Sequence, residues 1–158
     1  MKHYKISELK NKLTSNEQKI ILFGAGDIGE LVKYSLSQLG LKVDYYCDND
    51  KDKHGKERYG VKVLSFQELI KMNKGVNIFI SNNYYSSISD ELKKLGFTNF
   101  YDCVELLNNT DFKDQKFESL HTLKIDRRIE YYKNMCLKDE YSTSGELNIK
   151  NLDVQITE

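Results

Sequence analysis

The feature that most constrains this chain is a short apolar run that ends on glycines. Lys19 to Phe23 (KIILF) runs straight into Gly24-Ala25-Gly26-Asp27-Ile28-Gly29, and Ile28, Leu31, Val32, Leu36 and Leu39 then recur at helical spacing up to Gly40. A compact apolar run suits a parallel strand covered on both faces, and Gly40 is a natural left-handed helix cap. In a GxGxxG loop between a strand and an amphipathic helix, each glycine has a mechanical role. Gly24 allows the tight turn, Gly26 lets the backbone approach a pyrophosphate, and Gly29 lets the helix pack on the strand. The helix N-terminus adds free N–H donors and a partial positive charge. Asp27 is an awkward neighbour for phosphate unless it turns outward to cap the helix.

The alternation continues. Leu41 to Cys47 (LKVDYYC) reads as a second strand running into Asp48-Asn49-Asp50 and a polar loop up to Gly60, and Val61 to Leu64 reads as a third. Ser65 and Glu68 have capping-box spacing. Asn77 to Ile80 (NIFI) is the next strand, Ile88, Leu92 and Leu95 form a helical stripe ending at Gly96, and Asn99-Phe100-Tyr101 belongs to a fifth strand. The pattern predicts an α/β fold, a Rossmann-like doubly wound parallel sheet of about five strands in the order 3-2-1-4-5. A short helix over Ile6, Leu9 and Leu13 precedes it as a lid on one sheet edge. After Cys103 the alternation stops. Asn108 to Asp111 reads as a loop into a less regular region, Ile125, Ile129, Tyr132 and Cys136 form a helical stripe to about Lys138, Tyr141 to Gly145 reads as a linker, and Leu147 to Thr157 looks extended. Residues 1–107 are thus expected to form the nucleotide-binding domain, and 108–158 a helical linker and extended tail leading into a C-terminal catalytic domain.

The second half of the fingerprint is an acid about 20 residues beyond the glycines, where it can bridge ribose hydroxyls. Asp48, with Asn49 beside it, stands there; an acid at this place disfavours a 2′-phosphate. Asp48-Asn49-Asp50 also suits a simple turn. Ser81, Asn82, Asn83 and Tyr84 follow the strand on the other side of the first one, at the carboxyl edge where the strand order reverses and ligands bind. The polar trio is suited to a ribose or sugar and Tyr84 to covering a ring, though a polar helix start reads equally well. A hydride-transfer enzyme needs a general acid or base near its cofactor. Tyr84 has no lysine four residues on, and His3, His54 and His121 read as solvated residues.

The 24 basic residues balance 24 acidic ones, so no basic footprint marks a nucleic-acid or membrane partner, and a nucleotide-type small molecule is expected instead. The apolar runs are strand-sized, and no charged-then-apolar leader opens the chain, which points to the cytoplasm. Cys47, Cys103 and Cys136 lie far apart without a CxxC pair, so no metal is expected in this chain and the three are expected to be buried. The extended C-terminal stretch leaves a homodimer by strand pairing open.

The segments GAGDIGELVKYSLSQLG, VDYYCDND, KHGKERYGVKVLS, NIFISNNYYSSISDELKKLGF and TNFYDC together resemble a Rossmann-like domain of bacterial surface-sugar biosynthesis proteins. It occurs at the N-terminus of sugar O-acyltransferases of the sialic-acid and bacillosamine type and beside methyltransferase or glycosyltransferase domains. The likeness includes the spacing of Lys53, Gly55, Gly60 and Val63, with Lys62 where proline is usual. The resemblance implies a bound nucleotide-sugar, with Gly26 and Gly29 by phosphate, Asp48 by ribose and Ser81 to Asn83 along the rim. The hexapeptide repeats that carry acyl transfer are absent, so acetyltransferase activity is not implied. LNIKNLDVQITE, from Leu147 to Glu158, resembles the strand that leads into the CxxxCxxC loop of radical S-adenosylmethionine enzymes. That likeness implies a 4Fe-4S cluster and S-adenosylmethionine only on a further C-terminal domain.

The leading expectation is a noncatalytic nucleotide or nucleotide-sugar binding domain of a larger polysaccharide-modifying protein. An NAD-dependent oxidoreductase or epimerase-like enzyme and a ligand-free interaction module are the alternatives.

Overall fold

The computed structural model describes residues 4–82, 84–113, 115–119 and 122–141. The chain runs through α1 (Ile6–Asn16), β1 (Ile20–Phe23), α2 (Asp27–Gln38), β2 (Tyr45–Cys47), a single 3-10 turn (Lys51–Lys53), β3 (Glu57–Arg58), β4 (Val61–Leu64), α3 (Phe66–Ile70), β5 (Asn77–Ile80), α4 (Tyr85–Lys94), β6 (Phe100–Asp102), α5 (Val104–Asn108) and α6 (Thr122–Tyr141). The strands form one sheet in the order β3-β4-β2-β1-β5-β6. The β1–β2, β1–β5, β2–β4 and β5–β6 pairings are parallel. Apart from β3, this is the predicted 3-2-1-4-5 order.

Every residue of β1 and β5 is buried, and the alternation of side chains sorts them between two layers. Ile20, Leu22, Tyr46, Phe79 and Tyr101 share one core with Leu9 and Leu13 of α1, Leu31 and Leu36 of α2, Leu106 of α5 and Ile125, Ile129, Tyr132 and Cys136 of α6. Ile21, Phe23, Cys47, Ile78 and Ile80 meet Leu69 of α3 and Ile88 and Leu92 of α4 on the opposite face. Each fully buried side chain of this size contributes roughly 1.5–3 kcal/mol, so both faces of the sheet hold the fold. The apolar stripe on α6 makes that helix part of the first core.

Three elements differ from expectation. The second strand is shorter than Leu41 to Cys47, because the Asp44 carboxylate accepts the Ile20 N–H at 2.8 Å where a carbonyl would begin the ladder. The loop before Gly60 contains β3, which pairs antiparallel with β4 through Glu57↔Lys62 and Arg58↔Val61. The two connecting residues, Tyr59 (φ 51) and Gly60 (φ 79), both have positive φ, as the tightest hairpin turns require. The region after Cys103 begins with a helix, α5, whose first amide, at Val104, donates to Asp102 Oδ1 at 2.9 Å. The linker and extended stretch expected over 142–158, with the radical-enzyme resemblance, lie outside the described residues.

Candidate nucleotide site at the carboxyl edge

The chain leaves β1 toward β2 and β4 on one side and returns to β5 on the other, so the strand order reverses between β1 and β5. A crevice opens at that point by topology alone. A cavity of about 260 Å³ lies there. Gly24, Gly26, Asp27 and Ile28 of the loop, Asp48 from the end of β2, and Ser81, Asn82 and Tyr84 from the end of β5 all line it. The structure thus brings three separately identified segments to one cavity.

The glycines divide their labour. Gly24 has φ +121 and N–H donation to the Cys47 carbonyl at 2.8 Å, and a Cβ on it would sit 2.7 Å from Ser81 Oγ. At Gly29 a Cβ would collide with the Gly24 carbonyl oxygen. Its own carbonyl accepts the Tyr46 hydroxyl at 2.9 Å. Gly29 therefore serves helix packing, behind the cavity wall. Gly26 has nothing within 4 Å of a would-be Cβ; it is the open face of the loop. Ala25 is fully buried behind it.

Asp48 is the brace of this loop. Its Oδ2 accepts the Ala25 N–H at 2.9 Å and lies 3.3 Å from Lys53 Nζ, and its Oδ1 accepts the Asp50 N–H at 2.9 Å. Burial raises the pKa of this carboxyl, but the two amide donors and the lysine outweigh burial and hold it below its ordinary value. A carboxylate has about four lone-pair sites, so three are engaged within the chain. His54, read as solvated from the sequence, is half-buried instead. Its Nε2 donates to the Asp48 carbonyl at 2.6 Å. Asn49 is exposed and off the cavity wall.

On the opposite rim, the Ser81 hydroxyl donates inward to the Gly24 and Phe23 carbonyls at 3.0 and 3.2 Å. This braces the loop from the β5 side and leaves the serine oxygen, rather than its proton, for another partner. Asn82 Oδ1 accepts the Tyr84 N–H at 2.9 Å. Asn83 lies outside the described residues.

The sequence reading missed two contributions. Lys53 lines the cavity beside Asp48, and Arg128 and Tyr131 of α6 line it beside the loop. Arg128 Nη2 lies 3.3 Å from Asp27 Oδ2, so Asp27 pairs with a distant arginine rather than turning outward to cap its helix. Nothing in the spacing around Arg128 announces this contact, which α6 makes only after folding back on the sheet.

Cys47, Cys103 and Cys136 are all buried, and none is in a disulfide; burial pushes the Cys47 and Cys103 thiols up from their ordinary values. Among the described residues no group of three or more His, Cys, Asp or Glu is arranged to hold a metal ion, and no helix is long and apolar enough to cross a membrane.

A comparison with curated proteins finds no match. Among solved structures, the chain is similar to UDP-D-quinovosamine 4-dehydrogenase from Vibrio fischeri, at 20% identity over 54% of this chain and 76% of that one, with a TM-score of 0.46. It is also similar to RSP, a Rex-family repressor, at 17% identity over 83% of this chain and 68% of that one, TM-score 0.46. RSP in complex with beta-NAD+ and operator DNA matches at 18% identity over 89% of this chain and 71% of that one, TM-score 0.42. The expectation that excluded nucleic acid as a partner is corrected by that last finding, because a similar chain is seen on operator DNA. Balanced total charge was too coarse a criterion, since it says nothing of how charge is distributed. Residues 16–100 match the family model described as C2185-like, N-terminal, and the chain belongs to that family.

Proposed function

We propose that this chain binds a nucleotide or nucleotide-sugar at the β1–β5 crevice and is itself noncatalytic. The observation that carries the reading is the convergence of the glycine loop, Asp48 and the 81–84 segment on one cavity. Gly26, half-buried with open space in front of it, and the N-terminus of α2 would receive a phosphate. The remaining acceptor capacity of Asp48 would meet a ribose hydroxyl, and Asn82 and Tyr84 would border the sugar or base. At about 260 Å³ the cavity falls just below the roughly 300–1,000 Å³ of ordinary ligand sites.

Residues 1–107 would supply the glycine loop, Asp48 and the 81–84 segment of this site, α6 closes one wall of it through Arg128 and Tyr131, and 108–158 would connect to a C-terminal catalytic domain of a sugar- or polysaccharide-modifying protein, as the surface-sugar resemblance implies. A 4Fe-4S cluster and S-adenosylmethionine would belong to that further domain; the buried cysteines described above do not fit a cluster. Three buried cysteines outside any disulfide agree with a cytoplasmic setting. The second reading, an NAD-dependent oxidoreductase or epimerase-like enzyme, is favoured by one observation, the acid at the end of β2 next to the loop.

The test is a thermal-shift screen against NAD, NADP, UDP-, dTDP- and CDP-sugars and S-adenosylmethionine. A ligand at about 100 times its Kd stabilises by about 2.7 kcal/mol, a shift of several degrees at this size. One nucleotide class that stabilises the chain without turnover supports the leading reading, and hydride exchange with a nucleotide-sugar supports the second. No shift with any ligand leaves the interaction module.

A further inference from the structure

This inference rests on the nucleotide reading and carries the site beyond the residues that match the family. The N-terminus of α2 is where a phosphate would be received, yet its first residue is Asp27. A carboxylate beside an incoming phosphate repels it, and in a partly desolvated crevice the repulsion is stronger than in water. A cation at the same place offsets that repulsion. Arg128 of α6 is that cation, 3.3 Å from Asp27 through one nitrogen, with a side chain 39% exposed. Its guanidinium lies 5.9 Å from the ring centroid of Tyr131, which lines the same cavity. A guanidinium has five N–H donors in a planar fork, so pairing through Nη2 leaves donors for a second oxyanion.

The helix carrying this arginine is fastened beside the cavity. Tyr132, the next residue after Tyr131, donates its hydroxyl to the Ile80 carbonyl at 2.7 Å, one residue before Ser81. The remaining charged groups on the cavity wall are Asp48 and Lys53, which pair with each other.

We infer that α6 is a working wall of the nucleotide site: Arg128 offsets Asp27 and donates to the ligand's phosphate, so occupancy of the site and docking of α6 are thermodynamically linked. A ligand in the crevice would hold α6 in place, and whatever follows α6 would be positioned accordingly.

Isothermal titration calorimetry of the full chain tests this, with UDP, UDP-N-acetylglucosamine, NAD and inorganic pyrophosphate as probes. A probe that binds the unaltered chain is expected to bind Arg128→Ala about tenfold or more weakly, Arg128→Lys in between, and Asp27→Asn more tightly. The opposite signs separate the phosphate role from simple helix docking, because both substitutions break the same ion pair and a docking role would weaken binding in both. Circular dichroism melts of each variant establish that it is folded, as the half-exposed position of Arg128 predicts. Equal affinity in Arg128→Ala, or weakening in Asp27→Asn as well, overturns the inference and leaves the nucleotide reading standing. Failure of all four probes, and of the NADP, dTDP- and CDP-sugars of the thermal-shift screen, to bind the unaltered chain overturns the nucleotide reading and this inference with it.

Discussion

The phenol of Tyr132 is shared by two strand ends: it donates to the Ile80 carbonyl at 2.7 Å and accepts the Cys103 N–H at 3.0 Å. One side chain of α6 thereby joins the carboxyl ends of β5 and β6. Burial holds this phenol well above its ordinary value, so it is a neutral donor throughout the working pH range. Tyr132→Phe keeps the ring but removes the hydroxyl that accepts the Cys103 amide, and among the described residues leaves the Ile80 carbonyl the weak Cys103 thiol contact at 3.6 Å. We expect a loss of about 1–3 kcal/mol, read in urea as a lower midpoint at unchanged slope.

The glycine loop predicts a contrast between two identical substitutions. Gly29→Ala drives a methyl into the Gly24 carbonyl and against the Tyr46 ring, 3.1 Å away, so backbone must shift at a cost of about 1–3 kcal/mol or more. Gly26→Ala has room and an extended φ of -100, and loses about 1 kcal/mol or less through poorer helix capping. Calorimetric melts of the two variants side by side should place Gly29→Ala several degrees lower. Equal melting points would contradict the packing role of Gly29.

Asp48 has a folded-state pKa below its unfolded value, since the Ala25 and Asp50 amides and Lys53 together overcome burial. A depressed carboxyl binds more protons unfolded than folded, so its contribution is complete above the unfolded pKa, near 3.9. It is lost as pH falls through the folded value. Asp48→Asn should lower stability at neutral pH by about 1.5–3 kcal/mol and flatten the acid limb of the stability profile below about pH 4. Urea titrations at pH 7 and across the acid range check both parts. An unchanged acid limb would mean that Asp48 is not the group responsible.

Glu30 is buried in α2, and its two oxygens accept the Glu118 and Ser119 amides at 3.0 and 3.1 Å and the Ser119 hydroxyl at 2.8 Å. Three donors on one carboxylate tether residues 118–119 to the helix. Glu30→Ala should therefore act locally. Amide exchange at Glu118 and Ser119 is expected to accelerate tenfold or more, in line with about 1.5–3 kcal/mol for charged hydrogen bonds, while the β1 and β5 amides keep their protection.

Legibility in the sequence followed the range of the forces involved. KIILF and NIFI could be read because strands buried on both faces are apolar throughout. The Ser65–Glu68 box could be read because its two bonds, both 3.2 Å, close within four residues. β3 escaped because its turn is made by Tyr59 and Gly60, and tyrosine at positive φ is not a residue that advertises a hairpin. α5 escaped because it begins directly after β6, with no side-chain cap on Cys103. In the site, Gly24, Gly26 and Asp48 were legible from a motif, whereas Arg128 reaches Asp27 only through the tertiary path of α6. The stripe of Ile125, Ile129 and Tyr132 marks which face of α6 is buried, and nothing in that periodicity says what the neighbouring residues touch.

The two flanks of the sheet bear on how copies of this chain meet. One flank ends in the two-residue β3, with charged Glu57 and Arg58; the other ends in the three-residue β6, whose last carbonyl, at Asp102, accepts the Tyr4 hydroxyl at 2.8 Å. Short, charged or covered margins give an incoming strand little ladder to extend. Among the described residues the sheet is therefore closed to lengthwise growth, and crowded copies would meet through helices and loops before they could share hydrogen bonds as one continuous sheet.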